Sequence, residues 1–440
     1  MRDFLFFDFL FANALEYIAY AITCCVVLYL CTRKTIGYIF DPFHFYYTFT
    51  FGTSYAIVII LYAHGLVSDY YFSFLALYAI LFLFCFILTS SLSSRRARSS
   101  GIFYRLTYTC ERQEGLLIKF LIFIYFLCAA IYIGKVSTAV FYSSRFEANR
   151  GLGGVVRIMD ALRLIIAAWL FVYFLRIKKK KYLLGAIFVS LIGALLSGAK
   201  FALLEQLYVM FVAGFIAERK KIKLTFGVLF LFLLLGALLL FFVLAILSQT
   251  SVAIGYVNSQ YIPGAPVTVE LLILRVLANG DQYYLSLTNQ ILENISIQHP
   301  LLQMFANTFG NGLMSNLFDF DFANSDVGRQ IWLNWYPNDP IMRGPANHFD
   351  LTGYVYFGYV GGMIFSCFIG AILGKINGFK KKYIHSSAVA VAFISALYCR
   401  SLAIVLNPSV GIAYIIDVFI ILILIWIIAS VCREVNKSVN

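Results

Sequence analysis

A few charges stand where a chain this apolar should carry none, and they define the chemistry it could do. Arg157, Asp160 and Arg163 recur at i, i+3, i+6 inside one apolar run. That spacing lets the single carboxylate pair with either guanidinium on one helix face. Lys200 and Glu205 sit in "LLSGAKFALLEQL", residues 195–207, and Arg400 lies near the end of a later apolar run. At 343–362, "RGPANHFDLTGYVYFGYVGG" opens with Arg343, His348 and Asp350 and ends as apolar helix. A charge at the bilayer centre costs roughly 2.5–3.5 kcal/mol on insertion scales, so such residues are functional candidates by default. Arginine presents a planar fork matched to phosphate oxygens, and fixed cations in an outward-facing membrane cavity suit a lipid-linked phosphate or pyrophosphate. Lys200, Arg275, Arg343 and Arg400 are the candidates to hold it, with Arg145 and Arg150 as alternatives and Arg329 close by in sequence. His348 or Asp350 is a candidate general base toward a hydroxyl, because a free imidazole changes charge near neutral pH. Plainer readings stand beside these: a self-neutralised 157–163 triplet that orients its helix, a lysine that snorkels outward, and a histidine that caps the helix after it.

Elements must hold these residues. Of 440 residues, 62% are hydrophobic and 12% charged, against about 25% charged in soluble domains, and the mean hydropathy is +0.85. Apolar stretches of roughly 17–25 residues recur, each enough to cross a hydrocarbon core. The expected class is an all-α polytopic membrane protein. Basic bursts separate the stretches: "TRK" at 32–34, "RRAR" at 95–98, "RIKKKK" at 176–181, "RKKIK" at 219–223, "KINGFKKK" at 375–382 and "REVNK" at 433–437. Read as cytoplasmic loops, they place helices near 10–31, 43–63, 71–93, 117–135, 156–176, 182–197, 201–217, 224–247, 351–373, 384–405 and 411–430. That is eleven spans, or twelve if "MRDFLFFDFLF" at the start holds another. The first stretch is too long for a cleavable signal and lacks a small-residue cleavage site, so a retained helix is expected. The bursts flanking Lys200 force the chain to cross, turn near 197–200 and return, and the short outgoing helix leaves Lys200 below the outer surface.

Three regions follow: a bundle of about eight helices at 1–247, one large external loop at 248–350, and C-terminal helices at 351–440. A connection that long is usually functional, and "VELLILRVL" and "DQYYLSLTNQILENI" suggest helices lying on or beside the membrane. The net charge of +13 comes from the basic bursts, not from a soluble module with interleaved aromatics, so nucleic acid is not the expected partner. The nine cysteines fall mostly in apolar stretches, and no spacing suggests a disulfide framework or zinc. No GxxxxGK[ST] signals an ATPase.

"SGAKFALLEQL" resembles the Ser-Gly-x-Arg segment of bacterial O-antigen polymerases (the Wzy family) and of the related O-antigen ligases. "GPANHFDLTGYVYFGYVGG" resembles their segment running from external loop into helix, an Asn/His head followed at fixed distance by "FGxxG". Lys200 stands where the family carries Arg, and the ligases' histidine slot falls on Asn347, with His348 one residue later. The resemblance implies a GT-C-like polymerase/ligase architecture in the bacterial inner membrane, with its site facing the periplasm and neither metal nor other cofactor. It implies transfer of a glycan from undecaprenyl pyrophosphate, through its reducing-end carbon, to a sugar hydroxyl of an incoming lipid-linked unit. Cations such as Lys200 would then stabilise the departing pyrophosphate. The implied partners are undecaprenyl-pyrophosphate-linked oligosaccharide as donor and acceptor, the lipid bilayer, and a chain-length regulator membrane protein as a further candidate.

Other signals stay open. Trp332, Trp335 and Tyr336 in "WLNWYPNDP" could stack on sugar rings, yet such residues also populate interfacial aromatic belts. "FDFDF" at 318–322 contains a DxD, a nucleotide-sugar motif elsewhere, and equally describes an interfacial edge. Gly358, Gly361 and Gly362 suit close helix packing. Within the enzyme class, a ligase would transfer the finished glycan to lipid A. A flippase of the same lipid-linked unit is the alternative class, but its usual paired repeats with broken midplane helices are not visible.

Overall fold

The computed structural model describes residues 3–95, 101–136, 151–197, 202–218, 258–262, 264–340, 343–383 and 386–439, with isolated positions at 241, 244, 247 and 248. Every regular element among them is helical, and eight helices are long and apolar enough to cross a membrane. An apolar environment dictates this, since a helix satisfies its backbone hydrogen bonds within its own segment. The protein is therefore a polytopic, membrane-embedded chain.

The first half contains α1 (Asp3–Ala12), α2 (Ala14–Ile36), a π-helical turn (His44–Phe49) running into α3 (Thr50–Ala63), α4 (Asp69–Arg95), α5 (Ile102–Glu111), α6 (Glu114–Val136), α7 (Gly153–Ile177), α8 (Lys180–Ser197) and α9 (Ala202–Glu218). The loop region carries α10 (Val267–Leu277), α11 (Asp281–Ser286), α12 (Pro300–Phe309), α13 (Asn311–Phe318) and α14 (Val327–Trp335). Then come α15 (Phe349–Lys382), α16 (Ala388–Ser401) and α17 (Pro408–Val439). The long helices lie close to their expected positions, and the helix expected over 224–247 falls almost wholly outside the described residues. Ends are set locally: α2 stops at Gly37, whose φ of 95° lets its N–H reach the Arg33 carbonyl at 3.0 Å, a left-handed cap that glycine accepts without strain.

α16 is the axis of the bundle. It is built on Ala388, Ala390, Ala392 and Ala396, whose small side chains let α7, α9, α15 and α17 pack around it. Outer helices keep apolar residues exposed, among them Ile22, Phe84, Phe123 and Phe368, as a surface facing lipid requires. α15 lies along α4 by a different device. A methyl group on Gly370, Gly374 or Gly378 would collide with the α4 backbone or side chains, at the Phe82 and Phe86 carbonyls and at Ser93. Small residues every four positions let two helices approach closely where lipid supplies no hydrophobic drive. Gly362 belongs to the same contact through Tyr78, whereas Gly358, with φ 67° and ψ −171°, breaks α15 into two pieces. The Tyr78 hydroxyl donates to the Tyr359 carbonyl at that break, 2.5 Å away.

The ends carrying the basic bursts gather at one face of the bundle. Arg176 donates to the Ser386 carbonyl, Asn377 joins the Thr35 carbonyl to Ser90, and Glu114 accepts from the Val389 N–H and the Tyr173 hydroxyl. One burst is not a solvated loop. "KINGFKKK" continues α15, and Lys380 is fully buried, paired with Asp41, which also accepts from the Tyr398 hydroxyl.

Candidate functional site

Residues 343–350 are pinned almost one by one. Asp326 caps α14 by accepting the Gly328 N–H at 3.0 Å, and the Asn347 amide donates to the same carboxylate. Gly328 and Gly344 press backbone on backbone, leaving no room for a side chain at either. The His348 N–H donates to Gln282 Oε1 at 2.8 Å, so α11 holds the start of α15.

His348 stands at the N-cap position, but its side chain makes no cap bond. The ring lies against Phe51, 4.6 Å between centroids, and its Nδ1 is 3.2 Å from the Tyr283 hydroxyl. That hydroxyl donates to Asp350 Oδ2 at 2.7 Å, and the Tyr55 hydroxyl donates to the same oxygen at 3.0 Å. The other oxygen accepts the Leu351 N–H at 2.8 Å. A tyrosine hydroxyl has one proton, and this one points to Asp350, so the proton between ring and hydroxyl belongs to Nδ1. Burial pushes the His348 imidazole down to about 3, and a neutral ring protonated on Nδ1 keeps its lone pair on Nε2. That nitrogen is buried and makes no hydrogen bond among the described residues. His348 and Asp350 are thus brought together as the ends of one polar chain, each fully buried. The Nε2 lone pair is the acceptor that this arrangement leaves on the ring.

Sequence reasoning missed the middle of that chain. Tyr283, Tyr55 and Gln282 are polar residues in apolar or amphipathic runs, and nothing in their spacing marks them.

The arginines sort into separate clusters. Arg163 is sandwiched by Asp160 at 2.9 Å and Glu205 at 2.8 Å, and also donates to the Ala202 carbonyl. Gly193 makes this possible, since a methyl group there would overlap the arginine stem. Arg157 turns away from Asp160 and pairs with Asp417 of α17, while donating to the carbonyls of Asn307 and Thr308 at the end of α12, where the helix dipole favours a cation. Arg400 is 3.6 Å from the same carboxylate and 3.5 Å above the Tyr414 ring. It is 1% exposed, and its Nε and Nη2 make no hydrogen bond among the described residues. Two guanidinium groups therefore share one carboxylate, leaving a positive excess with donors to offer. Asp417 sits in "AYIIDVFI", and the rule that singled out Asp160 would have found it.

The candidates in the loop region divide further. Arg329 holds the loop together, donating to Asn324 Oδ1 and the carbonyls of Asp339 and Arg343. Arg343, half exposed, pairs with Asp339 at 2.7 Å and lies over Trp332, whose Nε1 donates to the same Asp339 oxygen. Trp332 and exposed Tyr336 have centroids 4.5 Å apart. Trp335 points elsewhere, with its Nε1 on the Leu285 carbonyl. Arg275 is exposed on α10. Arg275 on α10, Arg343 in the segment before α15 and Arg400 on α16 thus come from different parts of the chain, and among the described residues each has its own surroundings. In "FDFDF", Asp321 is engaged by the N–H groups of Ala323 and Asn324 and by the Asn324 amide, closing its own turn. Lys200, Arg145 and Arg150 lie outside the described residues.

Comparison with known proteins adds no name to this geometry: no family model, no curated protein and no solved structure matches the chain.

Proposed function

We propose that the chain is an O-antigen polymerase, a metal-independent glycosyltransferase of the inner membrane that joins undecaprenyl-pyrophosphate-linked oligosaccharide units at the periplasmic face. The single observation that carries the reading is the His348–Tyr283–Asp350 chain, because both its ends lie in the segment that resembles the family and it leaves Nε2 as a buried acceptor without a partner among the described residues.

In the proposed reaction, a sugar hydroxyl of the incoming unit attacks the anomeric carbon of the donor glycan. The bond from that carbon to the pyrophosphate oxygen breaks as the new glycosidic bond forms. The hydroxyl proton passes to Nε2, and undecaprenyl pyrophosphate departs with the electron pair. Tyr283 and Asp350 stabilise the imidazolium that results. Arg400, with unpartnered donors, and Lys200 are the cations proposed to hold the leaving group, while Trp332, Tyr336 and Arg343 form the proposed glycan platform on the loop. The buried pair requires segment 343–348 to lift for the acceptor to enter, and the break at Gly358 is the proposed hinge.

The test is the surface-polysaccharide ladder of a strain lacking this gene, with plasmid copies of wild type and His348→Ala. Lipid A core bearing a single repeat unit, restored to a ladder by wild type and not by the variant, is the expected result. With purified lipid-linked units the variant should turn over about 10²–10⁴-fold more slowly, the usual contribution of a general base. Loss of every repeat unit would instead indicate the ligase or flippase reading, and an unchanged ladder would overturn all three.

A further inference from the structure

The basic face holds a polar pocket that the proposed reaction does not use. α5 turns Phe103, Thr107 and Cys110 into the bundle, against α16 and α17. Its other side exposes Ile102, Arg105 and Tyr108, the pattern of a helix lying in a membrane interface. Arg112 closes α5, and Gln113 starts the next turn, its carbonyl accepting the N–H groups of Leu116 and Leu117 as α6 begins. Arg433 arrives from α17, 16 residues beyond Asp417 and so about 24 Å away along the helix.

Between these elements is a cavity of about 130 Å³ lined by Tyr108, Thr109, Arg112, Gln113, Ala429 and Arg433. Ala429 is fully buried and forms its floor. Two guanidinium groups from helices far apart in sequence face one small hollow with a phenol, a hydroxyl and an amide, and neither is ion-paired to another described residue. Glu111 and Glu434, their neighbours in sequence, do not line it. Like charges placed so repel unless an anion lies between them, and the volume suits a phosphate group. Trp426 of α17, one turn before Ala429 and so on the adjoining face of the helix, is partly exposed, an apolar surface leading from the pocket along the helix. Basic pockets between membrane helices bind anionic headgroups in this way.

We infer that this pocket binds the phosphate of an anionic phospholipid headgroup, with an acyl chain lying along α17 past Trp426. The site belongs to the bundle itself and does not depend on the proposed reaction.

The experiment uses the purified, delipidated full chain in detergent, with bound lipid read by native mass spectrometry. The probes are phosphatidylglycerol, phosphatidylcholine and inorganic phosphate, and the variants are Arg112→Gln/Arg433→Gln and, elsewhere on the same face, Arg33→Gln/Lys34→Gln. Wild type should prefer phosphatidylglycerol, the pocket variant should bind it about 30-fold more weakly, and the control variant should match wild type. Displacement of the lipid by millimolar inorganic phosphate would make the ligand a free phosphate and overturn the lipid assignment. Equal retention of the two lipids, or equal losses in both variants, would show diffuse charge and overturn the site. A thermal midpoint raised by phosphatidylglycerol and not by phosphatidylcholine reads the same preference on wild type alone.

Discussion

One hydroxyl decides which nitrogen of His348 is free. Tyr283 donates to Asp350 and so receives from Nδ1, which makes Nε2 the base. Tyr283→Phe removes that receiver and leaves a buried N–H unpaired, at a cost of about 1–3 kcal/mol. The neutral ring has a signature in stability as well. Burial lowers His348 from 6.5 to about 3, so between those values the unfolded chain binds a proton that the folded chain does not. Stability then falls as pH is lowered through that window. The thermal midpoint in detergent should drop from pH 7 to pH 5 at fixed salt, and His348→Gln should flatten that slope. An identical slope in the variant would mean that His348 is not held neutral. His348 and Asp350 were legible because polar residues at the start of an apolar helix stand out. Tyr283 and Tyr55 were not, because a chain with 30 tyrosines gives two of them no positional signal.

Element packing turns on small residues whose neighbours are distant in sequence. Gly374 faces the Phe86 carbonyl and Thr89 of α4, whereas Gly134 near the end of α6 faces nothing among the described residues. Gly374→Ala is overpacking and should destabilise by about 1–3 kcal/mol, while Gly134→Ala should be neutral or slightly stabilising, since alanine is the better helix former. Fluorescence-detected size-exclusion after graded heating compares the two. Equal melting would remove the close α4–α15 approach from the list of what holds the bundle together. Hydropathy located these helices because membrane helices must be long and apolar. It located the end of α15 less well, because lysines that normally mark a loop continue the helix when one of them finds a buried carboxylate.

At the scale of the whole molecule, Asp41, Lys380 and Tyr398 join the start of the π-helical turn to α15 and α16 inside the basic face. Removing one charge of such a pair costs about 3–5 kcal/mol, chiefly by stranding the other. Asp41→Asn and Lys380→Met should each lower the thermal midpoint, and the double variant should recover part of the loss. Additive losses would show that the two charges are not coupled. By itself the sequence determined the class, the positions of the long helices among the described residues and which charges were out of place, because the cost of exposing backbone or charge to lipid acts on local composition. Only the tertiary structure decided which charge meets which. Arg157 took Asp417 rather than Asp160, Arg163 added Glu205 to the Asp160 within its reach on the same helix, and Lys380 took Asp41. Pairing energy depends on the distance between side chains on different helices, and no local spacing encodes that distance.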